Sequence, residues 1–316
     1  MLVMYNITNQ NETSTWTDSD EFQFAEQNIL IILAIFTFLG NTFVLVATWR
    51  EESLHQPNKY FVVCLAIADL LVGMILEPLK AYHLNPDLEL KDTTYIHLCR
   101  FMVWIDTFAL AASIYTLTFI SFERFIKIRK PLQYRVRMTT SKSMKIIFII
   151  WLISTVFATY AATPHSGSRG ILETSGVYCP VDENDEKRFY TFVSVSAFFL
   201  PTLVILVMYT LIFVVVHKRQ KMLRNGELGQ TCYDRNQRSA FLQDLKALRM
   251  LVVVVGVFVL CWGPYFIYVL LLFYNPNFIN LDNESYNVDV AELIIFLLPH
   301  VNSLCNPIIY ACLDQT

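Results

Sequence analysis

Residues 27–49 read QNILIILAIFTFLGNTFVLVATW and contain no Asp, Glu, Lys or Arg. About 20 apolar residues in a helix cross a hydrocarbon core, so this stretch is long enough to span a membrane. Four further stretches without these charges are 146–168, 189–217, 250–281 and 293–313. Two more apolar blocks, about 58–82 and 97–122, carry the central acids Asp69 and Asp106. Seven such blocks argue against a soluble fold, whose helices need a polar face.

The composition indicates an all-α membrane protein, because 55% of the residues are hydrophobic and 16% are charged, against about 25% charged in soluble domains. We therefore predict a seven-transmembrane helix bundle within residues 26–313. The predicted helices are about 26–50, 58–82, 96–128, 143–164, 188–217, 244–274 and 288–312, with a third inner loop at 218–243.

The positive charges set the orientation of the bundle. With the N-terminus outside, 18 of the 24 Lys and Arg residues lie on the inner side, which is the asymmetry typical of membrane proteins. Residues 1–25 form an extracellular segment without the pattern of a cleavable signal peptide. The glycosylation sequons at Asn6, Asn11 and Asn283 also fall outside. The basic inner loops face anionic membrane lipid, and we expect no nucleic-acid partner.

Two of the seven cysteines, Cys99 and Cys179, fall on the predicted outer side. That side is oxidising, so we predict a disulfide between them. The bond would hold the second outer loop over the mouth of the bundle. The alternative is two unpaired thiols.

The acid Asp69 lies in the second span at the depth of several neutral oxygen-bearing side chains. One carboxylate with amide and hydroxyl oxygens suits a small hard cation such as sodium. The alternative is a hydrogen-bonded cluster that only holds helices together. The other members of this set are Ser113, Asn302, Ser303 and Asn306.

The second central acid, Asp106, lies two helical turns beyond Cys99 and thus about 10 Å deeper. A carboxylate with aromatic neighbours suits a protonated amine, which needs a counter-ion and ring faces. The candidate neighbours from the sixth and seventh spans are Trp262, Tyr265, Phe266, Phe296 and His300. The alternative is that Asp106 pairs internally, for example with His300, and touches no ligand.

Arg124 lies 18 residues beyond Asp106, about 27 Å along a helix, and so reaches the inner rim of the membrane. Its neighbour Glu123 and the more distant Asp244 are candidate partners, which suggests a two-state latch. The alternative is an arginine that snorkels at a helix end. Prolines that allow helices to kink lie within the spans at Pro78, Pro201, Pro264 and Pro307.

In order along the chain, these features resemble the rhodopsin-like (class A) G-protein-coupled receptors over nearly the whole length. The resemblance rests on one motif for each expected helix. The motifs are Gly40-Asn41, Leu65-Ala-Ile-Ala-Asp69, Cys99 with Glu123-Arg124-Phe125, Trp151, Pro201 with Tyr209, Cys261-Trp262-Gly-Pro264, and Asn306-Pro-Ile-Ile-Tyr310.

The resemblance implies a heterotrimeric G protein as the inner partner, engaged by Arg124 on activation, with Glu123 and Asp244 as resting partners. Trp262 matches the toggle residue under the ligand, and Leu132 matches a G-protein contact. The set around Asp69 matches the family's allosteric sodium site, and no other cofactor is expected. Ile114, Pro201 and Phe258 match the connector between pocket and inner face, and Tyr209 and Tyr310 match the tyrosine pair of the active state.

Within this family, Asp106 falls where the amine-binding receptors keep their ammonium counter-ion. Thr107 and Ser194 are then further candidates for ligand contact, and His300 replaces a tyrosine that normally caps the acid. Catecholamines are disfavoured, because Ser194 is one residue out of register with the usual serine pair. The resemblance thus implies a plasma-membrane receptor for a small cationic amine.

Rival functions are weaker. A receptor of the same family for a peptide, a lipid or a nucleotide is the main alternative, and it would leave Asp106 without a ligand partner. A retinal photoreceptor needs a lysine in the seventh span, but none follows Lys246. No arrangement of nucleophile, base and oxyanion hole indicates an enzyme.

Overall fold

The computed structural model describes residues 15–50, 59–84, 92–168, 183–224, 232–275 and 286–314. Regular structure within these ranges is helical. The helices, numbered as spans 1 to 7, are Thr15–Arg50, Lys59–His83, Asp92–Arg129, Thr140–Ala161, Glu183–Val193 continuing into Leu200–Arg224, Cys232–Tyr274, and Tyr286–Asp314. All seven are long and apolar enough to cross a membrane. A short helix, Pro131–Arg137, follows span 3 on the inner side.

Span 3 forms the centre of the bundle. Of its most apolar stretch, 78% is buried, against 22% in spans 4 and 5. The outer faces of the peripheral helices expose large apolar side chains such as Phe43, Phe148 and Phe213. Lipid is as apolar as these side chains, so such exposure carries no cost within a membrane.

Two spans contain a π-helical turn beside a proline. Val72–Leu76 precedes Pro78 in span 2, and Ser194–Phe199 precedes Pro201 in span 5. Proline lacks a backbone N–H, and its ring clashes with the carbonyl four residues earlier. A local π turn near a proline lets the backbone groups that the proline frees find other partners. The π turn therefore changes which residues of the outer part of span 2 face the interior.

The bundle is tightly closed between spans 1, 2 and 7. A Cβ atom on Gly40 would lie 3.0 Å from Cγ of Pro307, and one on Gly73 would lie 2.9 Å from Cγ2 of Thr37. Asn41 donates hydrogen bonds to the carbonyls of Thr37 and Ser303 at 3.0 and 3.1 Å. Small residues thus allow close helix contact, and a buried amide joins the first and last spans.

Several helices extend further than predicted. Span 1 begins at Thr15 rather than near residue 26, span 5 continues to Arg224, and span 6 begins at Cys232. The predicted inner loop at 218–243 is therefore partly helical. Apolar length marks the part of a helix that crosses lipid, whereas a polar sequence can continue the helix into water.

Candidate functional site

The carboxylate of Asp106 lies in the interior of the bundle, with 2% of the residue exposed. Oγ1 of Thr107 donates a hydrogen bond to Oδ1 of Asp106 at 3.1 Å. Thr107 is itself fully buried on span 3. A buried acid in a membrane span is costly and marks a functional site more often than a structural one.

The predicted aromatic residues of spans 6 and 7 form one continuous cluster. The ring centroids of Trp262 and Phe266 are 5.8 Å apart and stacked, and those of Trp262 and Tyr265 are 6.2 Å apart, edge to face. Phe296 of span 7 lies 5.9 Å from Tyr265. Trp262, Tyr265 and Phe266 are buried. These rings form one aromatic wall, and ring faces are the surrounding that a cationic head requires.

His300 is fully buried, and its ring faces the carboxylate of Glu77 in span 2. Nδ1 of His300 lies 3.4 Å from Oε1 of Glu77. The sequence had suggested Asp106 as an internal partner for His300. Glu77 does not stand out in the sequence, because span 2 is an apolar block around the central acid Asp69.

Glu77 and Lys80 are two charged residues of the interior that sequence reasoning missed. They lie in the stretch Glu77–His83, with 0% and 5% of each residue exposed. They are three residues apart on one helix face, and their charges interact. The signal was present in the sequence, because two charges inside a predicted span are as unusual as one.

The serines of span 5 do not both face the interior. Ser194 is fully buried, and its Oγ donates to the carbonyl of Tyr190 at 2.6 Å. Ser196 is half-buried, lies beside exposed residues of span 4 such as Leu152 and Ile153, and donates to the carbonyl of Phe192 at 2.7 Å. Both hydroxyls thus bond to their own helix.

Among the predicted sodium-site residues, the structure brings Asp69 of span 2 and Asn306 of span 7 into direct contact. Asp69 accepts a hydrogen bond from Nδ2 of Asn306 at 2.8 Å. Every member of the set is at most 7% exposed. Carboxylate, hydroxyl and amide oxygens are ligands that a hard cation prefers, so the residues fit such an ion. The set is Asp69, Ser113, Asn302, Ser303 and Asn306.

At the inner end of span 3, Nε of Arg124 lies 3.5 Å from Oε2 of Glu123. The hydroxyl of Tyr134, in the short inner helix, donates to the other oxygen of Glu123. Arg124 and Glu123 are both buried. The side chains of Asp244 and Leu132 lie outside the described part of the structure.

The predicted connector residues lie between the aromatic cluster and the inner end. Ile114 and Phe258 are buried in the main core, and Phe258 lies 6.3 Å from Trp262. Pro201 follows the π turn of span 5. Tyr209 and Tyr310 are half-buried, and neither hydroxyl makes a hydrogen bond within the residues that the structure describes.

Cys99 is buried and disulfide-bonded. Its predicted partner Cys179 lies outside the described residues, so their pairing stays a prediction. The three sequons, Asn6, Asn11 and Asn283, also lie outside them.

Comparison with known proteins identifies the family. The profile of the 7 transmembrane receptor (rhodopsin family) matches residues 40–310. A histamine H2 receptor of Cavia porcellus is 30% identical over 293 residues, covering 91% of this chain and 75% of the relative. An alpha-1A adrenergic receptor of Oryzias latipes is 28% identical over 317 residues, and that of Homo sapiens is 27% identical over 311. The chain spans 63–64% of the length of these two adrenergic receptors.

The chain belongs to the rhodopsin family of seven-transmembrane receptors, since the family profile covers most of its length. The predicted fold class is confirmed by the seven membrane-spanning helices. The protein is a multi-pass protein of the plasma membrane, and its family consists of receptors rather than enzymes.

Proposed function

We propose that this chain is a receptor for a small cationic amine and that it transmits ligand binding to a heterotrimeric G protein. The observation that carries the proposal is the buried Asp106 carboxylate in a bundle whose neighbouring helices supply a wall of aromatic rings. An ammonium group would neutralise the acid, and the rings would surround its cationic head. One relative is named a histamine receptor, and histamine is an amine.

The main alternative is a receptor of the same family for a peptide, a lipid or a nucleotide. Such a ligand need not place an ammonium group at Asp106, so its potency would not depend on that carboxylate. Among amines, catecholamines remain disfavoured. The hydroxyls of Ser194 and Ser196 each donate to a carbonyl of their own helix.

The ligand would signal across the membrane by binding the active state of the receptor more tightly than the resting state. A ligand shifts the equilibrium between two states only if it binds one of them better. A ligand held by Asp106 and packed on Trp262 favours a state in which the inner end of span 6 swings outwards about Pro264. Arg124 then leaves Glu123, from which it lies 3.5 Å in this structure, and binds the G protein. We assign Asp244 the role of a second resting partner of Arg124.

The decisive experiment is a dose–response panel of biogenic and trace amines on cells that express the chain or its Asp106→Asn variant. We expect at least one amine to activate the receptor and the variant to lose about 30-fold or more in potency, since truncating a buried charge pair costs 2–5 kcal/mol. Asp185→Asn is the matched control, because it makes the same substitution at a solvent-accessible acid near the outer end of span 5, and it should leave the potency unchanged. Equal potency in Asp106→Asn would favour a non-amine ligand.

We further propose that Asp69 and its oxygen-bearing neighbours hold an allosteric sodium ion. Asp69 would supply the negative charge, and Ser113 and Ser303 would supply hydroxyl oxygens. The ion would stabilise the resting packing of spans 2, 3 and 7. Replacing sodium by N-methylglucamine at constant ionic strength tests this proposal.

A further inference from the structure

Spans 3, 4 and 5 form a groove of about 620 Å³ on the lipid-facing side of the bundle. It is lined by apolar side chains of spans 4 and 5 and by Tyr115 of span 3. Val156 and Phe192 in this lining are 64% and 53% exposed, whereas Tyr115 is half-buried. The volume falls within the range of about 300–1,000 Å³ for small-molecule sites. The groove therefore has room for one small molecule, and it opens to the membrane rather than to the interior of the bundle.

Tyr115 brings an unpaired hydroxyl to this groove. That hydroxyl makes no hydrogen bond to any residue that the structure describes, and its oxygen is not fully buried. Tyr115 is nine positions from Arg124 at the inner rim, about 14 Å along the helix and therefore near mid-membrane. An unsatisfied polar group is costly at that depth, because no water or lipid headgroup reaches it. An occupant with a polar atom in mid-membrane would remove that cost.

Ser196 adds a second polar atom to the lining of the groove. Its hydroxyl already donates to the carbonyl of Phe192 at 2.7 Å, so its oxygen can only accept from an occupant. Tyr115, in contrast, has its donor free. A hydroxyl group on the occupant suits either residue, because a hydroxyl both donates and accepts.

The other end of the groove reaches the outer surface of the membrane. Tyr160 lines it there, one residue before the end of span 4, and is 52% exposed, which is typical of aromatic residues at a membrane interface. It lies eight positions beyond Leu152, which also lines the groove, or about 12 Å along the helix. The stretch between them is apolar, with Ile153, Val156 and Phe157. The groove thus has a hydroxyl at each end and an apolar middle.

An occupant of this groove must compete with the surrounding lipid. Lipid chains are as apolar as the lining, so apolar contact alone gives no advantage. A rigid molecule has one, because it loses less conformational freedom on binding than a flexible acyl chain. The lining suits a rigid body, since the rings of Phe157 and Phe192 pack edge to face at 5.8 Å and the branched side chains of Ile153 and Val156 are stiff.

We propose that this groove binds a sterol whose side chain carries a hydroxyl group. The hydroxyl on the ring system would lie at the outer surface beside Tyr160, and the fused rings would pack on Phe157 and Phe192. The hydroxyl on the side chain would accept the free donor of Tyr115. None of the residues that line the groove belongs to the proposed amine site, so this binding does not depend on the amine function.

The test compares two sterols that differ by one side-chain hydroxyl. The full chain is placed in phosphatidylcholine nanodiscs, and unlabelled 25-hydroxycholesterol or cholesterol competes with radiolabelled 25-hydroxycholesterol. We expect 25-hydroxycholesterol to bind about tenfold more tightly than cholesterol, as for one hydrogen bond within a membrane. Tyr115→Phe removes only the hydroxyl and should reduce this preference to about onefold. Tyr82→Phe is the matched control, because it removes the same atom from a tyrosine of span 2 that is 48% exposed, and it should keep the preference.

A second variant, Val156→Trp, fills the groove from its lipid-exposed side and leaves the core of the bundle unchanged. It should weaken the binding of both sterols by about tenfold, since the larger ring occupies their space. The proposal is overturned if the unmodified chain shows no saturable binding or binds both sterols equally. It is also overturned if the preference persists in Tyr115→Phe, if Tyr82→Phe loses it to the same degree, or if Val156→Trp binds as the unmodified chain does.

Discussion

The two buried acids of span 2, Asp69 and Glu77, lie eight residues apart but in different surroundings. Asp69 accepts a 2.8 Å hydrogen bond from the Asn306 amide. Glu77 faces His300 at 3.4 Å and interacts with the charge of Lys80. The inner acid therefore has a neutral amide as its hydrogen-bond donor, whereas the outer acid has an imidazole and an ammonium group as neighbours. Two acids that are equally buried on one helix can therefore depend to different degrees on their neighbouring side chains.

The difference predicts which region is more sensitive to the loss of a partner. A charge in a low-dielectric interior depends strongly on its counter-charge, and removing that partner leaves an uncompensated ion. An acid with an amide donor loses less, because other neutral oxygen-bearing groups remain nearby. Substitutions around Glu77 should therefore have larger effects than those around Asp69.

The largest effect is expected for Lys80→Met, which leaves Glu77 without its cation. We expect the free energy of unfolding to fall by about 3–5 kcal/mol, measured by denaturant titration of the purified receptor in detergent. The charge-balanced Glu77→Gln/Lys80→Met variant is the control, and it should recover most of the loss. A single variant as stable as the unmodified chain would show that Glu77 does not depend on Lys80.

A smaller effect is expected for Gly73→Ala, which alters the π turn between the two acids. The new Cβ would lie 2.9 Å from Cγ2 of Thr37 and 3.2 Å from the backbone nitrogen of Phe38. Overpacking of this kind costs about 1–3 kcal/mol, measured in the same titration. Gly256→Ala is the matched control, since its Cβ would meet nothing within 4 Å, and it should stabilise the helix by about 0.5–1 kcal/mol. Equal changes in both variants would contradict the close contact of spans 1 and 2.

The smallest effect is expected from sodium. A bound ion stabilises the folded chain by mass action, on the order of 1 kcal/mol when sodium is several times above its dissociation constant. Replacing sodium by N-methylglucamine should therefore lower the melting temperature of the unmodified chain but not of Asp69→Asn. Glu77→Gln should keep the sodium effect, because its acid belongs to the other region. If the sodium effect were lost in both Asp69→Asn and Glu77→Gln, the two acids would belong to one ion site.

The fold was predictable because long apolar stretches have few alternatives. Seven charge-poor blocks indicate seven spanning helices, and the structure has them. The helix ends were less predictable, since polar sequence continues span 1 back to Thr15 and span 5 on to Arg224. The π turns were also missed. Proline marks a local disturbance, but the surrounding packing decides which form it takes.

The candidate site was predictable where residues follow a family motif, as for Asp69 and Asn306, which the structure brings together. The Glu77 cluster follows no such motif. Its contact joins residues 77 and 300, and that pairing depends on how span 2 is turned beyond Val72–Leu76. Spacing within one helix cannot indicate which face meets another helix after such an irregular turn.

Span 6 is a single helix of 43 residues from Cys232 to Tyr274, with Pro264 near its outer end. It therefore acts as a lever with very unequal arms. Cys232 and Pro264 are 32 positions apart, which corresponds to about 48 Å at the rise of an α-helix. A tilt of about 10° at the proline would move the inner tip by about 8 Å over that length. A ligand that shifts Trp262 slightly would thus need no large rearrangement of its pocket. The length of the inner part of span 6 would turn a small tilt into a large displacement of its inner end.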